Sequence, residues 1–304
     1  MEIGVIGLGK MGSGLTKRLL KGRHSVVVFD LSLELVDSLV PFGAKPAHSI
    51  ENLLNQLSAP KIVWVMTPAG DATETTIFHL ARNLSSGDGI IDGGNSHFLD
   101  SIRRAKTLEV MELFFMDVGT SGGIRGWEQG YSLMIGGNLE NFNQLEPIFK
   151  TLAANPESGY GLVGPSGAGH FIKMVHNGIE YGMMQAFAEG FEIIKAKSEF
   201  EFNLGNIAEI WSSGSVVRSW LLELITEILV ENPDLSKIGS AVQDSGETRW
   251  LVEESIKLGV PAPIISLSLL ERLQSRTTNQ FSHRLLSSLR NSFGGHSISE
   301  PEDK

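Results

Sequence analysis

Three glycines near the N-terminus constrain this chain more than any other feature: Gly7, Gly9 and Gly12. They follow a β-rich apolar run, Ile3–Ile6, and precede an amphipathic run, Met11–Leu20, so the G-x-G-x-x-G spacing falls at a strand-to-helix turn. In that setting the glycines have separate tasks. Gly7 permits the tight turn, Gly9 lets the backbone approach a pyrophosphate, and Gly12 lets helix and strand pack closely. Leu8, Lys10 and Met11 complete a loop whose helix N-terminus offers free N–H groups and the positive end of a dipole to phosphates. The next apolar run, Val26–Phe29, ends in Asp30. A carboxylate there can accept hydrogen bonds from ribose hydroxyls and repels a 2′-phosphate. Leu31, Ser32 and Leu33 provide no arginine to receive such a phosphate, so NAD is the expected cofactor in preference to NADP. The alternatives are an ordinary glycine turn and a helix-capping Asp30, which would leave the preference open. Met66 and Thr67, after a third apolar run, are further expected cofactor contacts.

The first half of the chain repeats this alternation. Further strands are expected at Lys61–Met66, Gly89–Asp92, Leu113–Asp117, Tyr131–Ile135 and Tyr160–Val163, and further helices at Leu33–Leu39 and Asp71–Arg82. Apolar strands alternating with helices specify βαβ units and a parallel sheet covered on both faces. After Gly164-Pro165-Ser166-Gly167 the β-rich runs nearly vanish. A long helix is expected from Ala168 to about Lys197, followed by helices at Phe202–Ser212, Ser219–Val230, Glu247–Lys257, Ile264–Leu273 and Phe281–Phe293. The expected fold class is α/β: a doubly wound Rossmann-type sheet over residues 1–165, then an all-helical domain over residues 166–304.

Composition excludes several function classes. Among 304 residues there is no cysteine, which rules out disulfides, thiolate catalysis and Cys-based zinc sites. The formal net charge of −10 disfavours nucleic-acid or anionic membrane partners. No stretch is apolar enough to span a bilayer, and no secretory leader is expected ahead of Glu2, so a cytoplasmic protein is expected. A strongly anionic substrate would need a local basic pocket in so acidic a chain.

The most specific stretch lies in the long helix. Lys173, His176, Asn177, Glu180, Tyr181 and Met184 fall on one helical face. A polar, ionisable stripe in an otherwise apolar helix is costly unless it lines a cleft; the alternative is a solvated charged face. A lysine whose pKa is lowered by burial can take a hydroxyl proton as general base. A glutamate two turns on, about 10 Å along the axis, can donate a proton at another carbon. Asn177 can hold a hydroxyl or the nicotinamide amide.

The run from Lys173 to Gly182 resembles the active-site helix of 6-phosphogluconate dehydrogenases, as do Asp92–Ser96 and Gly119–Gly123. The resemblance extends from Met1 to His296 and implies the oxidative decarboxylation of 6-phosphogluconate in the pentose phosphate pathway. It implies Lys173 as the base at the C3 hydroxyl and Glu180 as the acid at C1. Asn95, Ser121, Gly122, Gly123, His176 and Asn177 would bind the carboxylate and hydroxyls, with Asn95 also near the nicotinamide of the cofactor, and no metal would be required. Without the resemblance, Gly122 and Gly123 form a turn after a strand, and Asn95 or Ser96 caps the following helix. Phosphate contacts are expected from Tyr181, Arg272, Arg290 and His296, because the arginine fork suits bidentate recognition. Arg249 stands where longer members carry lysine, which leaves its role open. Those members also have a further helical repeat. A homodimer or homotetramer with an exchanged C-terminal segment is expected. The rivals are a dehydrogenase of a small 3-hydroxy acid such as 3-hydroxyisobutyrate, and a dinucleotide-binding module without catalysis.

Overall fold

A computed structural model describes residues 1–277 and 281–294. The chain divides into two compact units, Met1–Asn177 and Gly178–Lys304. The elements of the first unit run β1 (Glu2–Ile6), α1 (Lys10–Lys21), β2 (Ser25–Phe29), α2 (Leu33–Leu39), β3 (Lys45–Pro46) and α3 (Ile50–Asn55). They continue β4 (Ile62–Val65), α4 (Asp71–Ala81), β5 (Gly89–Asp92), α5 (Phe98–Val110), β6 (Phe114–Ser121), α6 (Gly126–Gln129), β7 (Ser132–Gly136), α7 (Leu139–Leu152) and β8 (Tyr160–Gly164). Helix α8 (Ala168–Ala196) begins in this unit and ends in the second.

The eight strands form one sheet in the order β3-β2-β1-β4-β5-β6-β7-β8. All neighbours are parallel except β6 and β7. The order reverses beside β1, and in open α/β sheets ligands bind at such a switch point, outside the carboxyl ends of the strands. The sheet carries apolar layers on both faces, which is why its inner strands read as unbroken apolar runs. Side chains alternate between the layers with the pleat. Ile3, Val5, Val26, Val28 and Trp64 join Leu15, Leu19 and Phe149 on one face. Ile6, Val27, Val63 and Val65 join Leu53, Ile77, Leu80 and Leu108 on the other. Each such buried aliphatic contributes roughly 1.5–3 kcal/mol relative to exposure. Gly4 admits the close approach of α3, for a β-carbon there would lie 2.6 Å from Leu53 Cδ2.

Most expected strand and helix limits agree with the structure to within one or two residues. Strand β6 instead runs on to Ser121, because its last residues find antiparallel partners in β7, with Ser121 opposite Ser132. The short β3 and α3 escape the sequence reading. Helix α3 has only one turn and a half, held by the Ser49 side chain accepting from the Asn52 N–H.

The second unit contains the rest of α8 with α9 (Leu204–Ser212), α10 (Trp220–Glu231), α11 (Glu247–Leu258), α12 (Pro263–Gln274) and α13 (Phe281–Gly294). Asn203 and Ser219 cap α9 and α10 through their side chains, and Pro263 occupies the first turn of α12. A small core gathers Phe191, Ala208, Leu222 and Leu229. Ile264, Leu267 and Leu270 meanwhile stand exposed three residues apart on α12. Among the described residues no helix is long and apolar enough to cross a membrane.

Candidate active site

The glycine loop has the geometry that dinucleotide binding requires. Gly7 sits at φ +90°, and a β-carbon on it would lie 2.5 Å from the Met66 carbonyl oxygen. A β-carbon on Gly12 would lie 1.9 Å from the Gly7 carbonyl oxygen, so only glycine lets α1 start this close to β1. Gly9 is different: a β-carbon there meets nothing within 4 Å, so the backbone is open on that side. Gly9 is also the N-cap of α1, with no side chain satisfying the first turn and no acid within it. These residues fit a pyrophosphate. Asp30 is not the helix cap of the alternative reading. Its Oδ2 accepts from the Leu8 N–H at 2.7 Å and its Oδ1 from the Ser32 N–H at 2.9 Å, tying the glycine loop to the end of β2.

At the end of β5 the chain turns through Gly93 and Gly94 to Asn95. Asp92, fully buried, accepts from the Gly94 N–H at 3.1 Å and from the Ser96 hydroxyl at 2.7 Å. Arg104 from α5 reaches the same carboxylate at 3.1 Å. Neither Asn95 nor Ser96 caps α5; His97 does, its ring nitrogen accepting from the Leu99 N–H. Gly94 lies against the Thr67 carbonyl, where a β-carbon would come within 2.9 Å. Asn95 therefore stands on a loop packed against the segment that follows β4 and carries Met66 and Thr67.

Helix α8 lies on β6 through glycines. A β-carbon on Gly119 would fall 2.4 Å from Lys173 Cβ, and one on Gly169 2.4 Å from the Asp117 carbonyl oxygen. The Asp117 carboxylate is fully buried and accepts from the Gly167 and His170 N–H groups at 2.6 and 2.8 Å. The N–H group just before α8 and one in its first turn thus gain a charged acceptor, favourable also for the helix dipole. Along one face of β6, Asp117 meets His170, Gly119 meets Lys173, and Ser121 meets His176. Lys173 and Asn177 are each only 8% exposed. His176 Nδ1 lies 3.3 Å from Asn177 Oδ1, which can only accept, so Nδ1 donates. In the neutral ring Nε2 then accepts from the Ser121 hydroxyl at 3.2 Å. Beyond Ser121, Gly122 and Gly123 sit at φ +136° and +54°, and Gly123 opens onto free space.

In the second unit a basic cluster forms around residues 242–245. The Arg272 guanidinium stacks 3.5 Å above the Tyr181 ring and donates to the Gln243 carbonyl at 3.0 Å. The Ser245 N–H donates to the Tyr181 hydroxyl at 3.2 Å. Asp244 receives Arg249 through two hydrogen bonds of 2.9 and 3.0 Å, and Arg276 at 2.7 Å. Hydrogen bonds from Arg249 first, and then from Arg276, hold the Asp244 carboxyl down at about 2 against the opposing effect of burial. Glu180 is half-buried on α8 one position before Tyr181. Arg290 is exposed on α13, and His296 lies outside the described residues.

The structure brings Tyr181 and Arg272 together and adds Arg276, which the sequence leaves unmarked together with Arg104 and Asp117; Asp92 stands out there only as part of the segment Asp92–Ser96, without a role. An internal carboxylate at the end of a strand is the available sequence signal for Asp92 and Asp117; nothing local marks Arg104 or Arg276. Among the described residues no cluster of three or more His, Asp or Glu could hold a metal ion.

Comparison with known proteins agrees with this architecture. Residues 2–163 match the model described as the NAD binding domain of 6-phosphogluconate dehydrogenase. Residues 169–280 and 194–304 match that of the C-terminal domain of 6-phosphogluconate dehydrogenase. An NAD(+)-dependent, decarboxylating 6-phosphogluconate dehydrogenase of Haloferax volcanii is 44% identical over all of both chains. The Plasmodium falciparum 6-phosphogluconate dehydrogenase superposes with a TM-score of 0.83 at 26% identity, over 100% of this chain and 67% of that one. The Mycobacterium tuberculosis 3-hydroxyisobutyrate dehydrogenase shares the fold, with a TM-score of 0.71 at 18% identity over 88% of this chain and 90% of that one. The chain belongs to the 6-phosphogluconate dehydrogenase family, with an NAD(P)-binding Rossmann domain at its N-terminus.

Proposed function

We propose that this chain catalyses the oxidative decarboxylation of 6-phosphogluconate to ribulose 5-phosphate and CO2, with NAD the preferred oxidant and NADP the lesser one. The observation that carries the reading is the buried Lys173 seated on Gly119, beside the hydrogen-bonded Ser121, His176 and Asn177. A nicotinamide dinucleotide held by Gly7, Gly9, Gly12 and Asp30 would supply the hydride acceptor for C3. Lys173 takes the C3 hydroxyl proton as that hydride departs, and the C3 alcohol becomes a ketone. The resulting β-keto acid loses CO2, the carboxylate's bonding electrons passing into an enediol that protonated Lys173 stabilises. Glu180 then delivers a proton to the substrate's C2, which becomes C1 of ribulose 5-phosphate. Asn95, Ser121, Gly122, Gly123, His176 and Asn177 orient the carboxylate and hydroxyls, and Asn177 also assists the chemistry.

Tyr181 and Arg272 are assigned to the phosphate, together with Arg290 and His296, while Arg249 is engaged by Asp244. A small 3-hydroxy acid would need no such cluster, which favours the phosphorylated substrate over 3-hydroxyisobutyrate. We place the domain boundary at residues 165/166 and the protein in the cytoplasm. The exposed apolar stripe on α12 supports a homodimer or homotetramer. A monomer at micromolar concentration by light scattering would count against that assembly.

The deciding experiment follows nicotinamide reduction with 6-phosphogluconate, using NAD and NADP in parallel and trapping released CO2. Reduction with stoichiometric CO2 is expected, faster with NAD. Folded protein that reduces neither cofactor would remove the substrate assignment. The Lys173→Met variant should lose roughly 10²–10⁴-fold in turnover, the usual worth of a positioned general base.

A further inference from the structure

One buried guanidinium joins the two loops to which the cofactor and substrate contacts are assigned. Arg104 is 1% exposed. Its Nε donates to Glu74 on α4 at 2.8 Å, and its Nη1 donates to Asp92 at 3.1 Å and to the Ser96 hydroxyl at 3.2 Å. Each partner fixes a different stretch of backbone. Asp92 and Ser96 bracket Asn95, and Asp92 also accepts from the Gly94 N–H. Glu74 lies in the first turn of α4, one residue after Thr73. The Thr73 hydroxyl in turn donates to the Pro68 carbonyl at 2.8 Å and pairs with the Thr67 hydroxyl at 2.9 Å. Arg104 therefore clamps the β4–α4 loop, carrying Met66 and Thr67, to the β5–α5 loop, carrying Asn95.

The chemistry of the clamp requires arginine. A guanidinium presents Nε and Nη1 to two carboxylates at once, whereas an ammonium is a point charge without that fixed fork. Asp92 has no access to water, so this pairing and the hydrogen bonds around it offset the cost of burying it. Arg103, the exposed neighbour, binds the same Glu74 through two hydrogen bonds of 2.6 and 2.8 Å. Those bonds, more than the Arg104 contact, keep the Glu74 carboxyl down at about 2. Glu74 is thus ionised across the physiological range.

We propose that Arg104 is a positioning residue for hydride transfer: it sets the separation between the cofactor-contacting loop at Met66–Thr67 and the Asn95 loop, to which the nicotinamide contact is assigned. The inference rests on the functional reading above. Its test contains an arm that does not depend on the identity of the substrate.

The experiment compares wild-type protein with Arg104→Lys, which keeps the charge and loses the fork, and with Ser96→Ala, which removes one hydroxyl and leaves the ion pairs. Each is titrated with NADH and with ADP-ribose, which lacks the nicotinamide. Turnover with 6-phosphogluconate is measured alongside, with protio and C3-deuterated substrate. In Arg104→Lys, ADP-ribose affinity should stay within about twofold while NADH binds roughly five- to tenfold more weakly, with kcat down on the order of ten- to a hundredfold. The primary isotope effect should rise as hydride transfer becomes rate-limiting. Ser96→Ala should change each quantity in the same direction by less, and it decides the matter if Arg104→Lys fails to fold. Equal weakening of NADH and ADP-ribose, or no change in either, overturns the proposal, whatever happens to thermal stability. Wild-type protein that binds NADH but leaves 6-phosphogluconate unoxidised defeats the proposed function instead, and the comparison of the two nucleotides still decides the clamp.

Discussion

Gly119 and Lys173 meet with no room for a β-carbon on the strand: one built there lies 2.4 Å from Lys173 Cβ and 2.8 Å from the Gly169 carbonyl oxygen. The contact is backbone against helix, so no rotamer change can relieve it. Gly119→Ala must push α8 away from β6 and carry Lys173 with it. Overpacking of this kind costs about 1–3 kcal/mol, and a displacement near 1 Å at a reacting group costs on the order of a hundredfold in rate. A lowered melting temperature with a larger proportional loss of kcat is expected from thermal denaturation and steady-state assays. An alanine variant with wild-type kcat would show that the contact does not place Lys173.

The carboxylate at Asp117 makes a separate prediction. It accepts two N–H groups at the start of α8 and has no exposure to water. Asp117→Ala leaves both donors without this acceptor, at about 1–3 kcal/mol or somewhat more because the acceptor is charged. Asp117→Asn keeps one carbonyl oxygen and should lose less. Denaturant titration of the three proteins should rank them wild type, Asn, Ala; an alanine variant as stable as wild type would refute the anchoring role.

What the sequence made legible follows from the range of each interaction. Gly7, Gly9 and Gly12 act within six residues of one another, and the polar stripe from Lys173 to Met184 acts along one helix, so spacing alone announces both. The inner strands announced themselves because both faces of the sheet are buried, leaving unbroken apolar runs. The anchors are another matter. Asp117 binds residues 50 and 53 positions away, and Arg104 reaches back 30 positions to Glu74. No local pattern encodes a partner at such separations. The same reason hid the full length of β6, whose last residues become a strand through pairing with β7. Arg249 is a different case: its role stays open in the sequence because the longer chains it resembles carry lysine there, although its partner Asp244 lies only five positions away.

That cluster gives the pH dependence. Asp244 has its carboxyl lowered from 3.8 to about 2, chiefly by Arg249 and then by Arg276. A depressed folded-state value means stability present above the unfolded value and lost as pH falls through the folded one. The contribution should therefore be complete above about pH 4 and should disappear between about pH 4 and pH 2. Arg249 is 49% exposed, so solvent screens part of the interaction, and about 1–2 kcal/mol is the expected size. Asp244→Asn should reduce stability at pH 7 by that amount and flatten the acid limb of the stability profile. Equal differences between wild type and variant at pH 7 and pH 2.5 would contradict the assignment.

Asp30 carries the cofactor prediction, and its two existing hydrogen bonds determine how the test must be designed. Its oxygens already hold the Leu8 and Ser32 N–H groups, so removing the whole side chain would loosen the glycine loop as well as remove the proposed acceptor for the ribose. Asp30→Asn is the sharper variant, because it keeps the shape and one acceptor while removing the charge that repels a 2′-phosphate. The charge and the hydrogen bonds then separate. Loss of repulsion should raise kcat/KM with NADP, while loss of one acceptor should lower it modestly with NAD. The NAD-to-NADP ratio of kcat/KM should fall by about tenfold or more, corresponding to roughly 1.4 kcal/mol or more of changed discrimination. Parallel assays with both cofactors at fixed ionic strength measure it, since screening alone shifts such a ratio. A ratio unchanged in Asp30→Asn, with both activities reduced together, would assign Asp30 to the loop alone and leave the preference for NAD without its residue.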